Sequence, residues 1–339
     1  MEKEIKATQP TMPKIEEYVR EISSIWDTRI MTNYGEKTDK FKKMLKDYTK
    51  CENLDLFVNG HSALMLAIQA MELTGEVITS PFTFVSTTNA IIQNGLIPVF
   101  GDIDDSYNLS PESIEALITE KTCAIITPHI FGIPCNVEKI EQIAKKYNLK
   151  VIYDGAQAFG TKIRGKSIGH FGDATMFSLH AIKVFNSIEG GILSYQEKEL
   201  HRKLELYRNF GISYGELKND VDVVGINGKM NEFQAAMGIV NLPGLDEEIE
   251  KRKQEMRITG NGGYVNRVDW YTALIDSWQW ADTPSGNVLA EHYDTKFGDH
   301  NVIFPDSAKL LAELKSRGYI VGIITNGPSV LQHHKLDTS

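Results

Sequence analysis

The sequence is poor in cysteine, carries no basic excess and has no long apolar run. Its three cysteines, Cys51, Cys123 and Cys135, have no CxxC spacing and the histidines are not clustered, which argues against a disulfide framework or a structural zinc site. With 36 Lys+Arg against 45 Asp+Glu, the net charge of −9 argues against a surface that tracks nucleic-acid phosphates. The apolar runs are too short to cross a bilayer, and residues 1–14 lack the apolar core of a signal peptide. We therefore expect a cytoplasmic protein that contacts neither membrane nor nucleic acid.

Short apolar runs instead alternate with amphipathic stretches along most of the chain. Runs such as Lys150–Tyr153 are strand-like, whereas Ser62–Leu73 and Val137–Tyr147 have helical spacing. This alternation predicts an α/β fold with a mostly parallel sheet buried between helices, whose ligands lie beyond the carboxyl ends of the strands. Two earlier helical patterns, residues 14–26 and 37–48, are interpreted as peripheral.

The character of the sequence changes near residue 254. Trp270, Trp278 and Trp280 all follow this point, behind the breaker cluster Thr259-Gly-Asn-Gly-Gly263. We therefore predict one domain over residues 1–254 and a different segment over residues 255–339.

Two side chains at the ends of predicted strands have chemistry that fits together. Val151-Ile-Tyr-Asp154 is an apolar strand that ends in a carboxylate, although an Asp in such a place is, taken alone, more often a helix cap or turn former. Met176-Phe-Ser178 leads into Lys183, which has apolar neighbours. A lone lysine is usually a solvated charge, but partial burial here would lower its pKa and make the neutral amine a nucleophile.

An upstream segment supplies a candidate anion site. Phe57-Val-Asn-Gly-His-Ser62 ends a strand and opens a helix, so the free N–H groups at Gly60 to Ser62 suit an anion, and a plain strand–helix turn explains the segment equally well. Taken together, the chain offers a phosphate cradle, an amine able to form a Schiff base, a carboxylate and an aromatic plane. Pyridoxal phosphate needs all four, because its pyridine nitrogen must stay protonated beside an Asp if the ring is to act as an electron sink. Neither a metal ion nor a nicotinamide cofactor needs this combination of groups, and we expect no metal site.

At the level of motifs, residues 8–254 resemble the large domain of the DegT/DnrJ/StrS nucleotide-sugar aminotransferases, a branch of the fold-type I pyridoxal-phosphate enzymes. The motifs, in the family's order, are Asn59-Gly-His-Ser-Ala-Leu64, Ser80-Pro-Phe-Thr-Phe-Val85, Tyr153-Asp-Gly-Ala-Gln-Ala158, Phe177-Ser-Leu-His-Ala-Ile-Lys183 with Glu189-Gly-Gly191, and Gly225-Ile-Asn-Gly-Lys-Met-Asn231. The resemblance implies transfer of an amino group from glutamate to a nucleotide-linked keto sugar in a ping-pong cycle. The forms of the last two motifs are similar to the subgroup that aminates C4 of a TDP-4-keto-6-deoxyhexose, which includes viosamine-forming enzymes, and such amino sugars usually enter surface polysaccharide such as O-antigen.

The resemblance also implies roles for the residues around the cofactor. Lys183 matches the Schiff-base lysine, which also moves the proton in the 1,3-shift, and Asp154 matches the partner of the pyridinium nitrogen. Gln157 matches the residue that hydrogen-bonds the phenolic oxygen of the cofactor, and Phe84 matches the aromatic residue that stacks on the ring.

Further roles concern the phosphate and the substrate. The residues that match the phosphate cradle are Gly60, His61, Ser62 and Ser178, with His61 in place of the usual Thr. Asn227 matches an asparagine that reaches the phosphate from the neighbouring subunit, which implies a homodimer with shared active sites. Arg208 or Lys229 are candidates for the cations that the nucleotide diphosphate needs. His129 and His180 we interpret as structural, because Lys183 already supplies proton transfer.

The last segment departs from the family. Instead of the usual small C-terminal domain, residues 256–339 resemble a fragment of the haloacid-dehalogenase phosphatases, with Thr325 in the position that binds a phosphoryl oxygen. This segment has no nucleophile loop of its own, and Asp102-Ile-Asp-Asp-Ser106, which mimics one, fits better as an acidic strand-to-loop crossing. Two alternatives to a working aminotransferase therefore stay open: a non-catalytic dimer that binds pyridoxal phosphate without a complete substrate cleft, and, less favoured, a phosphatase.

Overall fold

Seven strands form one twisted layer in the computed structural model, which describes residues 10–212 and 221–258, with side chains as far as residue 253. The strands, including a separate two-stranded hairpin formed by the sixth and seventh, are β1 (Leu54–Phe57), β2 (Glu76–Thr79), β3 (Ile97–Phe100), β4 (Thr122–Pro128), β5 (Lys150–Asp154), β6 (Lys162–Ile163), β7 (Lys166–Ser167), β8 (Ala174–Ser178) and β9 (Gly191–Tyr195). The sheet order is β1-β9-β8-β5-β4-β2-β3. Every neighbouring pair from β8 to β3 is parallel, whereas β9 runs antiparallel to both β1 and β8. The predicted α/β class with a mostly parallel sheet is confirmed.

Helices cover both faces of this sheet. The α-helices are α1 (Ile15–Thr28), α2 (Glu36–Thr49), α3 (Gly60–Ala70), α4 (Val85–Gln93), α5 (Pro111–Leu117), α6 (Val137–Tyr147), α7 (Leu200–Arg208), α8 (Glu232–Asn241) and α9 (Leu245–Ile258). Successive side chains of β5 show the two faces: Ile152 packs in the cluster with α3, α4 and α7, while Val151 and Tyr153 pack in the cluster with α5 and α6. Burial on both faces explains why the parallel strands are apolar throughout.

The helix α2 is part of the core, so its interpretation as peripheral is wrong. Phe41 and Leu45 are fully buried, and the ring of Phe41 lies where a Cβ at Gly238 of α8 would be. The carboxylate of Glu232, itself 2% exposed, accepts the backbone N–H groups of Gly35, Lys37 and Thr38 at the start of α2. A buried acidic group at a helix N-terminus satisfies donors that have no partner within the helix.

The boundary predicted at residue 254 falls within α9. The chain divides into two units between Ile249 and Glu250, and the first unit contains all the elements discussed below. The haloacid-dehalogenase-like segment predicted over residues 255–339 lies outside the described residues, apart from the last turn of α9. Within the described ranges, none of the helices has the length and apolar character needed to cross a bilayer.

Candidate active site

Asp154 is a buried member of the candidate site. It is the last residue of β5, is 5% exposed, and lies at the carboxyl edge of the parallel strands. Its Oδ2 accepts a hydrogen bond from the Thr87 hydroxyl at 2.7 Å, and its Oδ1 accepts the Ala156 N–H at 3.0 Å. Burial raises the pKa of Asp154, and the two hydrogen bonds with the charges of Lys183 and His61 reduce that rise. Among the described residues, no Lys, Arg or His nitrogen forms an ion pair with this carboxylate.

Lys183 lies in the loop that follows β8, five residues beyond the end of the strand. Its side chain is half-buried, and its backbone N–H donates to the carbonyl of His180 at 2.9 Å. Burial lowers the pKa of Lys183, and the charge of Asp154 opposes that lowering. The charge of each group therefore influences the pKa of the other. Lowering the pKa of a lysine increases the fraction of neutral amine, which is the form that acts as a nucleophile or base.

The sequence predicts an anion site at the start of α3. The Asn59 side chain caps the helix by accepting the Ser62 N–H at 2.8 Å, so α3 begins at Gly60, two residues earlier than the pattern predicts. The N–H groups of Gly60 and His61 precede the first hydrogen bond of the helix, which runs from Ala63 to Asn59. A Cβ at Gly60 would lie 3.0 Å from the Ser178 Cβ. The α3 backbone therefore comes close to the end of β8, where Ser178 has its hydroxyl.

The side chain of His61 makes hydrogen bonds of its own and is not available to an anion. Its Nδ1 lies 2.8 Å from the Ser86 hydroxyl, and its Nε2 lies 2.9 Å from Oε1 of Gln93, both on α4. The imidazole thus ties α3 to α4, and only the backbone N–H of His61 is left for an anion. This arrangement explains how a histidine can replace threonine in the motif.

Phe84, Gln157 and Asn227 lie at the surface of this unit. Phe84 immediately precedes α4 and is 75% exposed, which is unusual for a phenylalanine and leaves one ring face available for stacking. Gln157 is exposed, and its Oε1 accepts the N–H of Phe131 at 2.7 Å, so the side chain is held in place. Asn227 is exposed and its backbone bridges to Asn209.

Two residues that touch Asp154 were missed by sequence reasoning. Thr87 lies within α4, and Ala156 lies two residues beyond Asp154. Phe84, a predicted site residue, lies one helical turn before Thr87. Because residues three apart share a helix face, this spacing could have indicated that Thr87 also faces the site. For Ala156 the signal was the turn itself, since an Asp side chain often bonds the N–H two residues on.

The remaining candidates have other partners. Arg208 is 4% exposed, and its guanidinium bonds the Leu56 carbonyl and the Glu205 carboxylate, while it also lines a pocket with Lys229. Lys229 donates to Asn209 at 2.6 Å. His129 is 1% exposed, burial lowers its pKa to about 3, and its Nδ1 accepts the N–H of Cys135, which fits the structural interpretation.

The loop over residues 102–106, which resembles the nucleophile loop of a phosphatase, is held by hydrogen bonds among its own residues. The Asp104 carboxylate accepts both the N–H and the hydroxyl of Ser106, and Ile103 bridges to Leu109. The segment is an acidic crossing after β3, as the sequence suggests.

Known proteins match most of this chain. A family model described as the DegT/DnrJ/EryC1/StrS aminotransferase family matches residues 13–260. A dTDP-4-amino-4,6-dideoxy-D-glucose transaminase of Shigella dysenteriae is 39% identical over 292 residues, covering 82% of this chain and 79% of that protein. A protein of the same name from Escherichia coli is 40% identical over 255 residues, covering 74% of this chain and 68% of that protein. Among solved structures, DesI with its TDP-sugar product superposes with a TM-score of 0.71 at 29% identity, covering 76% of this chain and 66% of that one.

Proposed function

Because the chain belongs to the DegT/DnrJ/EryC1/StrS aminotransferase family, we propose that it transfers an amino group from glutamate to a nucleotide-linked 4-keto-6-deoxyhexose, with TDP as the nucleotide. Its cofactor is pyridoxal phosphate. The choice of sugar and nucleotide is supported by the two relatives named dTDP-4-amino-4,6-dideoxy-D-glucose transaminase, from Shigella dysenteriae and Escherichia coli.

The observation that carries the proposal is the environment of Asp154. A buried carboxylate with a raised pKa and no ion-pair partner among the described residues is unfavourable unless a ligand supplies positive charge. A protonated pyridine nitrogen is such a charge, and the pKa of Lys183 is lowered by burial while the charge of Asp154 acts on it. Perturbed pKa values of this kind cluster at functional sites.

The other residues fit the shape of the cofactor. We assign the phosphate to the free N–H groups of Gly60 and His61, with the hydroxyls of Ser62 and Ser178 beside them. The absence of a side chain at Gly60 keeps the α3 backbone close to β8, where a larger residue would meet Ser178.

Stacking and orientation fall to residues on the open side. We assign the exposed ring of Phe84 to the face of the pyridine and Gln157 to its phenolic oxygen. Gln157 retains its amide N–H₂ for that bond, because its Oε1 already accepts from Phe131.

The chemistry divides between cofactor and chain. When bound, the pyridine ring supplies an electron sink for bond changes at the carbon that carries the amino group. Asp154 would hold the ring nitrogen protonated, and the neutral Nζ of Lys183 would accept a proton and give it back, as the general base and acid of the 1,3-shift. Burial lowers the pKa of Lys183, which favours the neutral amine that this role requires.

We further propose a cytoplasmic homodimer with shared sites that supplies amino sugar for surface polysaccharide such as O-antigen. The free state of Cys51, Cys123 and Cys135 supports a reducing compartment. The exposure of Asn227 supports its reaching a second subunit.

Borohydride reduction in the presence of pyridoxal phosphate tests the cofactor site. Peptide mapping should find the cofactor fixed to Lys183, and Lys183→Ala should remove the label. The matched control is Lys145→Ala, which changes an exposed lysine of α6 and should leave the label at Lys183 unchanged. Labelling spread over many lysines, or none, would contradict the assignment.

Turnover tests the reaction itself. Incubation with glutamate and TDP-4-keto-6-deoxyglucose should give a TDP-amino sugar by mass spectrometry. Labelling at Lys183 without this product would favour the alternative of a non-catalytic dimer that binds the cofactor.

Mixing two inactive variants tests the shared site. Lys183→Ala and Asn227→Ala homodimers should each be nearly inactive. An equilibrated 1:1 mixture should regain about a quarter of wild-type activity, because about half of its dimers are heterodimers and each heterodimer has one intact site out of two. No recovery after subunit exchange would place Asn227 in its own subunit's site, and an active Asn227→Ala homodimer would place Asn227 outside any site.

A further inference from the structure

Thr87 is a fully buried hydroxyl residue in direct contact with Asp154. It is 0% exposed, and its hydroxyl donates to Oδ2 of Asp154 at 2.7 Å. The Thr83 hydroxyl lies 2.8 Å from that of Thr87. Because a hydroxyl has one hydrogen and Thr87 gives it to Asp154, Thr83 is the donor in the second bond. Thr83, Thr87 and Asp154 thus form a directed chain of hydrogen bonds, in which each bond polarises the next.

Hydrogen bonds hold the Asp154 carboxylate at both of its oxygens. Oδ2 is held by Thr87 on α4, while Oδ1 is held by the Ala156 N–H at 3.0 Å from its own turn. Rotation of the carboxylate would break both bonds inside a buried site, so one orientation is selected. Each carboxylate oxygen keeps a further lone pair for a ring N–H.

The same bond joins two parts of the candidate site. The Thr87 N–H donates to the Phe84 carbonyl at 3.1 Å, so the residue that holds Asp154 also closes the turn that carries Phe84. Residues from β5 and α4 that are 67 positions apart in sequence are therefore locked together.

We propose that Thr87 is a positioning residue, which orients Asp154 toward the ring nitrogen of pyridoxal phosphate and keeps its carboxylate ionised. The inference rests on the proposed cofactor site. Burial raises the pKa of Asp154 and works against ionisation, and the bond from Thr87 opposes that rise together with the charges of Lys183 and His61. Loss of the hydroxyl should leave the carboxylate freer to rotate and more readily protonated.

The test compares Thr87→Val, which has the same shape without a donor, with Thr87→Ser, which keeps the hydroxyl. Pyridoxal phosphate is titrated into the protein stripped of cofactor, and binding is followed by the visible absorbance band at several pH values. Thr87→Val should weaken binding roughly tenfold to a hundredfold, as expected for loss of a hydrogen bond to a charged group, and Thr87→Ser should restore most of it. The pH below which binding fails should move upward in Thr87→Val, because the Asp154 carboxylate takes up its proton at higher pH.

Thr49→Val is the matched control for loss of a buried threonine hydroxyl. Thr49 is 3% exposed, donates to the Leu45 carbonyl at 2.8 Å in α2, and should change stability without changing the absorbance titration. If Thr87→Val does not fold, Thr87→Cys, with a poor donor in nearly the same volume, replaces it. Equal binding and an equal pH limit in the wild type and Thr87→Val would overturn the role of Thr87 alone. Failure of the wild type to bind pyridoxal phosphate would instead overturn the proposed function, and the role of Thr87 with it.

Discussion

Asp154 and Asp55 are both buried carboxylates, and they differ in the charge around them. Asp55 lies within β1 and is 0% exposed. The groups that bond its two oxygens are Lys42 at 2.7 Å, Tyr195 at 2.6 Å, His201 at 2.8 Å and Arg208 at 3.4 Å. Burial alone would raise the pKa of Asp55, but the His201 hydrogen bond and the charges of Arg208 and Lys42 outweigh it and hold the pKa well below its ordinary value. Asp154 receives neutral donors only, and its pKa is raised.

The difference separates a group that holds the fold together from one that is kept for a ligand. The charge of Asp55 is balanced within the chain, and removing one member of such a buried cluster leaves the others uncompensated. The side chains of Asp55, His201 and Glu205 could by spacing hold a metal ion, but Lys42 and Arg208 already supply the positive charge there. The charge of Asp154 has no such balance among the described residues, which supports the proposal that a cationic ring binds beside it.

Loss of the Asp55 charge should have the largest effect on stability. Asp55→Asn leaves Lys42 and Arg208 without their counter-charge, and we expect the free energy of unfolding to fall by about 3–5 kcal/mol. Urea denaturation measures this fall, and pyridoxal phosphate affinity at low temperature should stay near the wild-type value. A fall in affinity with unchanged stability would reverse the assignment of the two carboxylates.

Loss of the Asp154 charge should have the largest effect on activity. Asp154→Asn should lower the turnover of the keto sugar by about a hundredfold to a thousandfold, which is the effect of removing one preorganised electrostatic partner. The free energy of unfolding of the cofactor-free protein should not fall, because an unfavourable buried charge is removed. Turnover assays and urea denaturation measure these two effects. An Asp154→Asn variant that is less stable but fully active would contradict the distinction between Asp154 and Asp55.

The pH dependence of stability should differ in sign between the two groups. A lowered pKa means that Asp55 stabilises the fold above its unfolded pKa of about 3.9, and this stability is lost as the pH falls through the folded value. A raised pKa means that ionised Asp154 destabilises the cofactor-free fold, so the stability gained in Asp154→Asn should grow as the pH rises through the folded pKa. Urea midpoints of the wild type and both variants between pH 3 and pH 8 test these signs, and parallel curves for the two variants would refute them.

Loss of an exposed carboxylate should have the smallest effect on stability. Glu141 pairs with Lys145 one turn away on α6, with both side chains more than half exposed. Glu141→Gln should change the free energy of unfolding by less than about 0.5 kcal/mol, because water screens such a pair. A loss comparable to that in Asp55→Asn would mean that burial is not what separates these carboxylates.

Much of the site is local in sequence and could be predicted. An apolar strand that ends in Asp154 fixes that residue at the sheet edge, and the Asn59 cap fixes the anion site at Gly60. The setting of Lys183 among apolar residues predicts the direction of its pKa.

The parts that depend on tertiary contact could not be predicted in the same way. The spacing to Phe84 places Thr87 on the side of the site, but it does not identify Asp154, 67 positions away, as the hydrogen-bond partner of Thr87. The balanced cluster around Asp55 likewise makes Arg208 a residue of the fold, although its sequence context suits a nucleotide diphosphate equally well. The antiparallel direction of β9 could have been predicted from the sequence. The connection from Ser178 to Gly191 has no helical pattern, whereas a strand that runs parallel to its neighbour needs a crossover connection, usually a helix.

The contact between Gly60 and Ser178 bears on when the protein acquires its cofactor. Gly60 follows β1 and Ser178 ends β8, so the two sides of the proposed phosphate cradle are far apart in sequence and meet only in the fold. We therefore expect the pocket for the vitamin B6 phosphate to be complete only after β8 has left the ribosome and packed against α3, which places cofactor loading late in the synthesis of this unit.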